Sequence, residues 1–332
     1  MQVIEYMIKP NELKQDLPMS LSGGVLSTTT KVWDILMASH AGNLEHVKQM
    51  AAKCPDLLYA QYNYTPPIHF AVREGHIHLV NYLLEQGAHD PTYRIYPFLD
   101  YLQTIASDRG RDDIALLLQQ YADDPSRHKF KGDNGTIRVN RTPLQKEFQT
   151  AVDKGDLLRT EQILQTNPEF ALDENYFWGE GILTMPAKGA NFKLIDLLMS
   201  YGAKVPDILK WTQAYYFERY DSAAYLMEHG MNPNTMSWHH VTILHDMAQK
   251  GNIPKARLLL EHKANIDAIE EEYQSTPLGM AARWGRFEMV EFLLEQGADP
   301  NKSGAAWAAP LAWAKKKGHA EIERILKDAG AV

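Results

Sequence analysis

The residue types that could carry chemistry in this chain are thirteen histidines, one cysteine and the run Glu270–Glu272. His76 and His78 form a His-x-His pair, but residues two apart on a helix do not face the same side. A zinc ion held there would need further ligands from elsewhere in the chain. His239 and His240 are adjacent, and on an extended segment they would point to opposite faces. We therefore predict no metal site and no cofactor.

The three glutamates could supply a pair of carboxylates for acid–base catalysis. Consecutive residues on an exposed loop, however, lack the burial that would separate their pKa values, so we expect a solvated acidic tip. The lone Cys54 permits no intramolecular disulfide and lacks a setting that would lower its pKa. The common phosphate-binding, dinucleotide-binding, serine-hydrolase and zinc-protease motifs do not occur. We predict no catalytic residues and expect that the protein is not an enzyme.

The last quarter of the sequence is periodic. A segment that runs from Ser275 through Gly285 and a Leu-Leu pair to Asn301 restarts in part at Ala309. Gly251, Gly285 and Gly318 follow one another at intervals of 34 and 33 residues. A period of about 33 residues is typical of stacked helix-pair repeats.

Each repeat has local signals for two short helices. Thr276 can cap free backbone N–H groups, and Pro277 suits the first helical turn because it has no N–H. Apolar residues then recur at i, i+3, i+4 and i+7, which gives each helix one apolar face. Gly297 ends the second helix at a position where we expect a positive φ. One such unit cannot bury its apolar face alone, so neighbouring units must stack.

The Ser-Thr-Pro-Leu-Gly-Met-Ala-Ala sequence at 275–282 and its copies resemble ankyrin repeats. The resemblance covers residues 32–121 and 142–330 and is strongest at 64–91 and 241–330. It implies an all-α solenoid of stacked helix-turn-helix units with projecting hairpin fingers, and a protein-binding role. It also implies that His69 and His245, in the fourth position of the Thr-Pro-Leu-His pattern, bind the backbone of a neighbouring loop.

We divide the chain into an N-terminal extension (1–31), an N-terminal repeat block (32–121), a linker or inserted loop (122–141) and a C-terminal repeat block (142–332). Whether the two blocks form one continuous stack is left open. One repeat is short, because Gly202 and Gly230 are only 28 residues apart. In that repeat Glu218 stands where the glycine between helices is expected. In the next repeat Lys263 replaces the glycine that ends the second helix. We expect an irregular, less stable stretch at 211–225.

Aromatic residues recur where the fingers should project, and they are the residue types that dominate interface hot spots. They are Tyr62, Tyr96, Trp178, Trp238, Tyr273 and Trp307. At the inner-helix position that faces the concave side in ankyrin proteins stand Trp284, Tyr216 and Phe217. We predict that these nine residues contact a partner protein. The alternative is that the finger aromatics only pack against the next finger.

The net charge of −8 and the pI near 5.9 argue against nucleic-acid binding, which depends on clustered Lys and Arg. The one basic run, Lys315–Lys317, is short and is expected to be a solvated helix face. The sequence contains no apolar run of 18 residues, the length that would indicate a membrane span. A single cysteine fits a reducing compartment. We expect a cytoplasmic protein that is a monomer when unbound.

These observations predict a non-enzymatic adaptor or inhibitor that binds a partner protein of unknown identity through its groove and fingers. A sharper alternative is a regulator, similar to an antitoxin, that caps a cognate toxin or enzyme. The acidic balance would suit a basic partner in that case. An alternative of a different class is an enzyme with a small-molecule site where the two repeat blocks meet.

Overall fold

The computed structural model describes residues 7–21, 24–129, 135–137, 141–210 and 215–332; for residues 136, 177 and 178 it describes the backbone alone. The predicted contact by Trp178 therefore lies outside the described side chains. The chain divides into two compact units. The N-terminal unit is Lys9–Asn140, and the C-terminal unit is Arg141–Val332 together with Met1–Ile8.

The described helices of the N-terminal unit form three pairs. Inner helices α1, α3 and α5 stack on one another, and outer helix α4 packs on α6. The bounds are α1 (Thr29–His40), α2 (Leu44–Lys53), α3 (Pro67–Glu74), α4 (Ile77–Glu85), α5 (Leu102–Asp108) and α6 (Asp112–Ala122).

A small antiparallel sheet joins two segments that lie far apart in the sequence. Its strands are β1 (Pro18–Ser20), β2 (Leu26–Thr28) and β3 (Thr136–Ile137), in the order β2-β1-β3. Met19 lies opposite Ser27 on one side and Ile137 on the other. The predicted N-terminal extension and the predicted linker thus pair with each other within the N-terminal unit.

The chain after α6 folds back over the end of the helix stack. A 3₁₀ turn at Pro125–Arg127 is followed by Lys129, whose backbone N–H donates to the Gly87 carbonyl at 3.2 Å. The buried Tyr121 hydroxyl lies 3.0 Å from the His89 carbonyl oxygen and 3.1 Å from that of Arg127. A terminal repeat needs such a cover for its apolar face.

The C-terminal unit repeats the same arrangement. Contacts between successive repeats join α7 to α9, α12 to α14 and α14 to α16 among the inner helices, and α8 to α10, α11 to α13 and α15 to α17 among the outer ones. The bounds are α7 (Pro143–Lys154), α8 (Leu157–Thr166), α9 (Thr184–Lys188), α10 (Phe192–Ser200), α11 (Tyr220–Glu228), α12 (Ile243–Lys250), α13 (Ile253–Glu261), α14 (Pro277–Arg283), α15 (Phe287–Glu295), α16 (Pro310–Lys317) and α17 (Ala320–Asp328).

The short repeat departs from this pattern. Between α10 and α11, residues 203–210 and 215–219 contain no helix, and residues 211–214 lie outside the described part. Strand β4 (Ile208–Leu209) pairs in parallel with β5 (Met236–Ser237) instead. Lys263, which follows the outer helix α13 of the next repeat, has a φ of 68°. A lysine therefore occupies the left-handed position at which a glycine usually ends this helix.

Neighbouring repeats are joined by a recurring hydrogen bond near the turn between the two helices. The Arg286 Nε donates to the Gln249 carbonyl at 2.7 Å, and the His76 Nε2 lies 2.7 Å from the His40 carbonyl oxygen. These bonds satisfy carbonyl groups that a helix end leaves without partners. Close approach explains the glycine at this turn: a Cβ on Gly75, whose φ is 85°, would lie 2.5 Å from the Arg111 Nε.

The short repeat keeps this bond with a different residue. The Lys255 Nζ donates to the Glu218 carbonyl at 2.9 Å and also to the Phe217 carbonyl. Burial lowers the pKa of Lys255. A lysine thus compensates for the missing inner-helix end in the short repeat.

Candidate functional site

His245 shows that the fingers are held by the helices behind them. Its Nδ1 lies 2.8 Å from the Thr242 hydroxyl at the start of α12. Its Nε2 lies 3.0 Å from the Ala268 carbonyl oxygen and 3.1 Å from that of Ser275, across the next finger. Burial lowers the pKa of His245 to about 4, so the ring is neutral at pH 7. The predicted structural role of His245 is confirmed.

The expected solvated acidic tip at Glu270–Glu272 is wrong, because all three side chains are buried. The Glu270 carboxylate accepts the backbone N–H groups of Glu272 at 2.6 Å, Tyr273 at 3.0 Å and Ser275 at 3.1 Å. The finger curls around its own carboxylate, which supplies the acceptor for three amides. Burial raises the pKa of Glu270 to about 8 despite these hydrogen bonds.

Glu271 connects this finger to two other parts of the C-terminal unit. Its Oε1 lies 2.5 Å from the His240 Nδ1 on the preceding finger. The same oxygen accepts the backbone N–H of Met7 at 2.6 Å. Glu270 and Glu271 are therefore structural acceptors that fix the finger at 268–276.

An aromatic cluster lies where this finger meets the inner side of the last two repeats. It consists of Tyr273, Arg283, Trp284, Trp307 and Trp313. Tyr273 comes from the finger before α14, and Arg283 and Trp284 come from the end of that helix. Trp307 precedes α16, and Trp313 lies within it. Two consecutive repeats thus supply the five side chains.

Arg283 is the centre of the aromatic cluster. Its Cζ lies 3.8 Å from the Trp284 ring centroid and 4.0 Å from that of Tyr273. Its Nη2 donates to the Tyr273 hydroxyl at 2.9 Å, and the side chain is almost fully buried. Contact with the electron-rich faces of two rings offsets part of the cost of burying the guanidinium.

Trp313 forms the floor of the cluster. It is fully buried, and its Nε1 donates to the Ser275 hydroxyl at 2.7 Å. Its ring meets the Tyr273 and Trp307 rings edge-on, with centroids 5.7 Å and 5.8 Å apart. This is a preferred geometry for aromatic pairs. The cluster is therefore a fixed platform, with Trp284 and Trp307 as its partly exposed members.

The structure buries most of the aromatic side chains that were predicted to contact a partner. Six of them are at most 2% exposed: Tyr62, Tyr96, Tyr216, Phe217, Trp238 and Tyr273. The prediction that these six residues contact a partner is wrong, because the folded chain itself buries their side chains. The Tyr216 hydroxyl, for example, lies 3.0 Å from the Thr184 hydroxyl and donates to the Glu180 carbonyl. Partner contact through Trp284 and Trp307 stays a prediction.

Sequence reasoning missed two features of the molecule. Trp313 is central to the cluster, and the signal for it was the second tryptophan six residues after Trp307. Leu99 is 47% exposed at a finger tip with a φ of 59°, an unusual conformation for a bulky residue. The Arg94 Nη1 donates to its carbonyl at 3.2 Å. The residue type of Leu99 gave no sign of this turn.

A cavity of about 120 Å³ lies among the first fingers of the C-terminal unit. It is lined by Ala171, Leu172, Asp173, Glu174, Gly181, Ile182, Gly202 and Lys204. Ligand pockets usually enclose about 300–1,000 Å³, so this cavity is too small for a substrate or cofactor of ordinary size. Asp173 already accepts a hydrogen bond from the Arg141 Nη1 at 3.0 Å.

Comparison with known proteins identifies the repeats. The family model described as "Ankyrin repeats (3 copies)" matches residues 214–304, and the one described as "Ankyrin repeat" matches residues 64–95. The aromatic cluster therefore begins within the first match and continues beyond its end.

Several characterised proteins are similar to parts of this chain. The Palmitoyltransferase AKR1 of Lachancea kluyveri is 25% identical over 247 residues, which cover 69% of this chain and 33% of that protein. The Ankyrin repeat protein nuc-2 of Neurospora crassa is 35% identical over 86 residues, or 26% of this chain and 8% of its own. The human "Arf-GAP with coiled-coil, ANK repeat and PH domain-containing protein 2" is 33% identical over 103 residues, which cover 31% of this chain and 12% of that protein.

The matched regions span a third or less of these relatives. Ankyrin repeats generally mediate protein–protein interaction and are themselves non-catalytic. Within the described residues, every helix is too short or too polar to cross a membrane. The family matches, the stacked helix pairs and the finger held by His245 agree with the sequence prediction: the chain contains ankyrin repeats in an all-α fold.

Proposed function

We propose that this chain is a non-enzymatic adaptor or inhibitor that binds a partner protein at the inner side of its last two repeats. One observation carries the proposal. Among the predicted contact residues with described side chains, Trp284 and Trp307 are partly exposed, and both rest on the buried base formed by Arg283, Tyr273 and Trp313.

This arrangement has the properties of an interface hot spot. Tryptophan and arginine are enriched among residues that contribute most to binding. Rings that are already fixed lose little conformational entropy when a partner binds, so more of the contact energy appears as affinity. The edge-on contact of Trp307 with Trp313 and the stacking of Arg283 on Trp284 provide this fixation.

The non-enzymatic part of the proposal is supported by the non-catalytic nature of ankyrin repeats. The activity in the name of the palmitoyltransferase relative is not transferred to this chain, since the match covers 33% of that protein. Cytoplasmic location and a monomeric unbound state remain proposals that accompany it. The cytoplasmic location rests on the single cysteine, which fits a reducing compartment. The monomeric state rests on the expectation that the groove binds a different protein.

The test is affinity capture from a lysate of the native cells, with bound proteins identified by mass spectrometry. The bait is the full chain as wild type, as the double variant Trp284→Ala/Trp307→Ala, and as Leu158→Ala. Leu158 is a matched control because it is apolar, 66% exposed and in the same unit, but on the outer helix α8.

A partner retained by wild type and Leu158→Ala and lost by a folded double variant supports the proposal. Loss of one hot-spot residue costs about 2 kcal/mol or more, which is roughly 30-fold in Kd. Circular dichroism and thermal unfolding establish that the double variant is folded. Equal retention by all three baits would refute the assignment of the tryptophans as contact residues.

A further inference from the structure

The loop between α4 and α5 forms a finger, residues 86–101, in which buried and exposed side chains are interleaved. The buried side chains are at most 4% exposed, and they are Ile95, Tyr96 and Phe98. The exposed side chains are Arg94, Leu99 and Tyr101. Leu99 is 47% exposed and Tyr101 is 38% exposed. We call Arg94, Leu99 and Tyr101 the exposed triad.

Contacts within the finger fix the exposed triad. The Arg94 Cζ lies 4.4 Å from the Tyr101 ring centroid, and the Arg94 Nη2 donates to the Tyr101 hydroxyl at 3.0 Å. The Arg94 Nη1 donates to the Leu99 carbonyl at 3.2 Å. The Leu99 backbone N–H in turn donates to the Ile95 carbonyl at 2.8 Å. Groups held in this way lose little conformational entropy when a partner binds.

The backbone of Leu99 has a conformation that does not favour leucine. Its φ of 59° lies in the left-handed region, which glycine and asparagine adopt at a lower cost. Left-handed residues of other fingers have polar side chains, as at Tyr64, His240 and Gln274. His240 uses its ring to bind Glu271, whereas an aliphatic side chain makes no such bond. Folding alone would therefore favour another residue at position 99, and strain of this kind clusters at binding sites.

The charge of Arg94 is not balanced within the described part of the chain. The contacts of its guanidinium there are all with the other two members of the exposed triad, which are uncharged. Asp90, near the start of the finger, accepts the Thr92 backbone N–H at 2.8 Å and the Thr92 hydroxyl at 2.7 Å. Asp100 has interactions of its own, and none of them is an ion pair with Arg94. The guanidinium therefore keeps N–H donors that can bind a carboxylate of another molecule.

We propose that the exposed triad binds a partner protein at an apolar pocket whose rim carries a carboxylate. Leu99 enters the pocket, the Tyr101 ring lies against its wall, and the Arg94 guanidinium pairs with the carboxylate. The hydrogen bond and the stacking that hold Arg94 on Tyr101 keep the cation beside the apolar side chains, so both kinds of contact form together. This inference goes beyond the proposed function, since it concerns the other unit and does not involve the tryptophans.

A protein pocket fits these side chains better than a nucleic acid or a membrane does. Affinity for a phosphate backbone grows with the number of phosphates that are neutralised, and the exposed triad has one cation. Binding to a membrane surface needs a larger buried apolar area together with several basic residues. Tyrosine and arginine are enriched among the residues that dominate protein–protein interfaces, and Leu99 adds apolar surface beside them.

The test uses hosts that have the chemistry of the proposed pocket. Carboxymethyl-β-cyclodextrin has an apolar cavity with carboxylates on its rim, unmodified β-cyclodextrin has a neutral rim, and amino-β-cyclodextrin has a cationic rim. Each host is titrated into the full chain, in which the leucine methyl groups are labelled with ¹³C and observed by NMR.

Leu116 is the matched control within the same protein. It lies on α6 of the same unit and is 58% exposed, and residues 112–126 around it include no Lys or Arg. The methyl signals of the two leucines are assigned from the variants Leu99→Ile and Leu116→Ile.

We expect the Leu99 signals to report a Kd for the carboxymethyl host that is at least threefold lower than the Kd for the neutral host. The amino host should bind most weakly. Arg94→Gln should abolish this preference for the carboxylate rim, and 300 mM salt should reduce it, because salt screens exposed charges. The Leu116 signals should show no preference for the carboxymethyl host.

Urea unfolding tests whether folding requires the leucine. Leu99→Gly should have a midpoint no lower than that of wild type, because glycine adopts a φ of 59° without steric cost. Leu116→Gly should have a lower midpoint, because glycine disfavours the interior of a helix.

The inference is overturned if the Leu99 signals show no preference for the carboxymethyl host, or if Arg94→Gln keeps the preference of wild type. It is also overturned if Leu99→Gly is as destabilising as Leu116→Gly. Leu99 signals that shift with protein concentration alone would identify a second copy of the chain as the occupant and would overturn it too. The capture experiment tests the tryptophans of the other unit, so either proposal can fail without the other.

Discussion

The buried carboxylate of Glu270 makes the stability of the C-terminal unit depend on pH. Its pKa is raised from 4.5 to about 8, chiefly by burial. A raised carboxyl pKa means that the folded state favours the protonated form. The stability that this preference contributes is fully present below pH 4.5 and is lost as the pH rises through 8.

The size of the effect follows from the pKa difference. One pKa unit corresponds to about 1.4 kcal/mol, so the free energy of unfolding should fall by about 3 kcal/mol between pH 4.5 and pH 7. The loss should approach 5 kcal/mol above pH 8, as an order of magnitude. Asp246, whose pKa is raised to about 6 by burial, adds a smaller change of the same sign.

The assay is urea unfolding from pH 5 to pH 9 for wild type, Glu270→Gln and Glu288→Gln. Glu270→Gln removes the titrating group, so its profile should be flatter than that of wild type by the contribution of Glu270. The variant also replaces one acceptor oxygen by an NH₂ group, which should lower its stability at pH 5 by about 1–3 kcal/mol. Glu288 is exposed on α15, and its variant should follow wild type.

A local measurement makes the test specific to the finger. Hydrogen exchange of the Glu272, Tyr273 and Ser275 amides, corrected for the intrinsic pH dependence of exchange, should show less protection at pH 9 than at pH 6 in wild type. The reasoning fails if Glu270→Gln keeps the full pH slope of wild type, or if protection of these amides is independent of pH.

Two further predictions concern single positions. Lys263→Gly should raise the free energy of unfolding by about 0.5–1 kcal/mol, because glycine adopts a φ of 68° without steric cost. The control Glu291→Gly, on the exposed face of α15, should lower the free energy of unfolding by about 1 kcal/mol. Equal losses of stability for the two variants in urea unfolding would contradict this prediction. Ser275→Ala should lower the free energy of unfolding by about 2–4 kcal/mol, because it leaves the buried Trp313 N–H and the Ala308 carbonyl without the Ser275 hydroxyl. The exposed control Ser200→Ala should stay within about 0.5 kcal/mol of wild type. Similar small changes in both variants would show that the Ser275 hydroxyl is not needed for stability.

The sequence predicted the features that local, periodic patterns encode. Glycine spacing and apolar periodicity placed the helix pairs, and the Thr-Pro-Leu-His pattern gave the role of His245. It also gave the left-handed position at Lys263, because the period marks where a helix must end. These features depend on residues within one repeat or on its immediate neighbour.

The features that depend on distant contacts could not be read from the pattern. The pairing of β1 with β3 joins short segments more than a hundred residues apart, neither of which has a strand-length alternation. The burial of Glu270 depends on how one loop curls around its own side chain. The burial of Tyr96 and Trp238 depends on packing within and around the fingers. Residue type alone does not distinguish an aromatic ring that closes a finger from one that meets a partner.

The hydrogen bond from the Met7 backbone to Glu271 has a consequence for chain topology. Met7 and Ile8 belong to the C-terminal unit, whereas Lys9–Asn140 forms the other unit, so the N-terminal unit is an insertion within the C-terminal one. An insertion is held at both of its ends, and its two ends stay tethered even when it unfolds. A deletion up to Ile8, or a fusion that displaces Met7, should therefore remove this hydrogen bond and loosen the finger around Glu271, which lies 264 residues away from Met7 in the sequence.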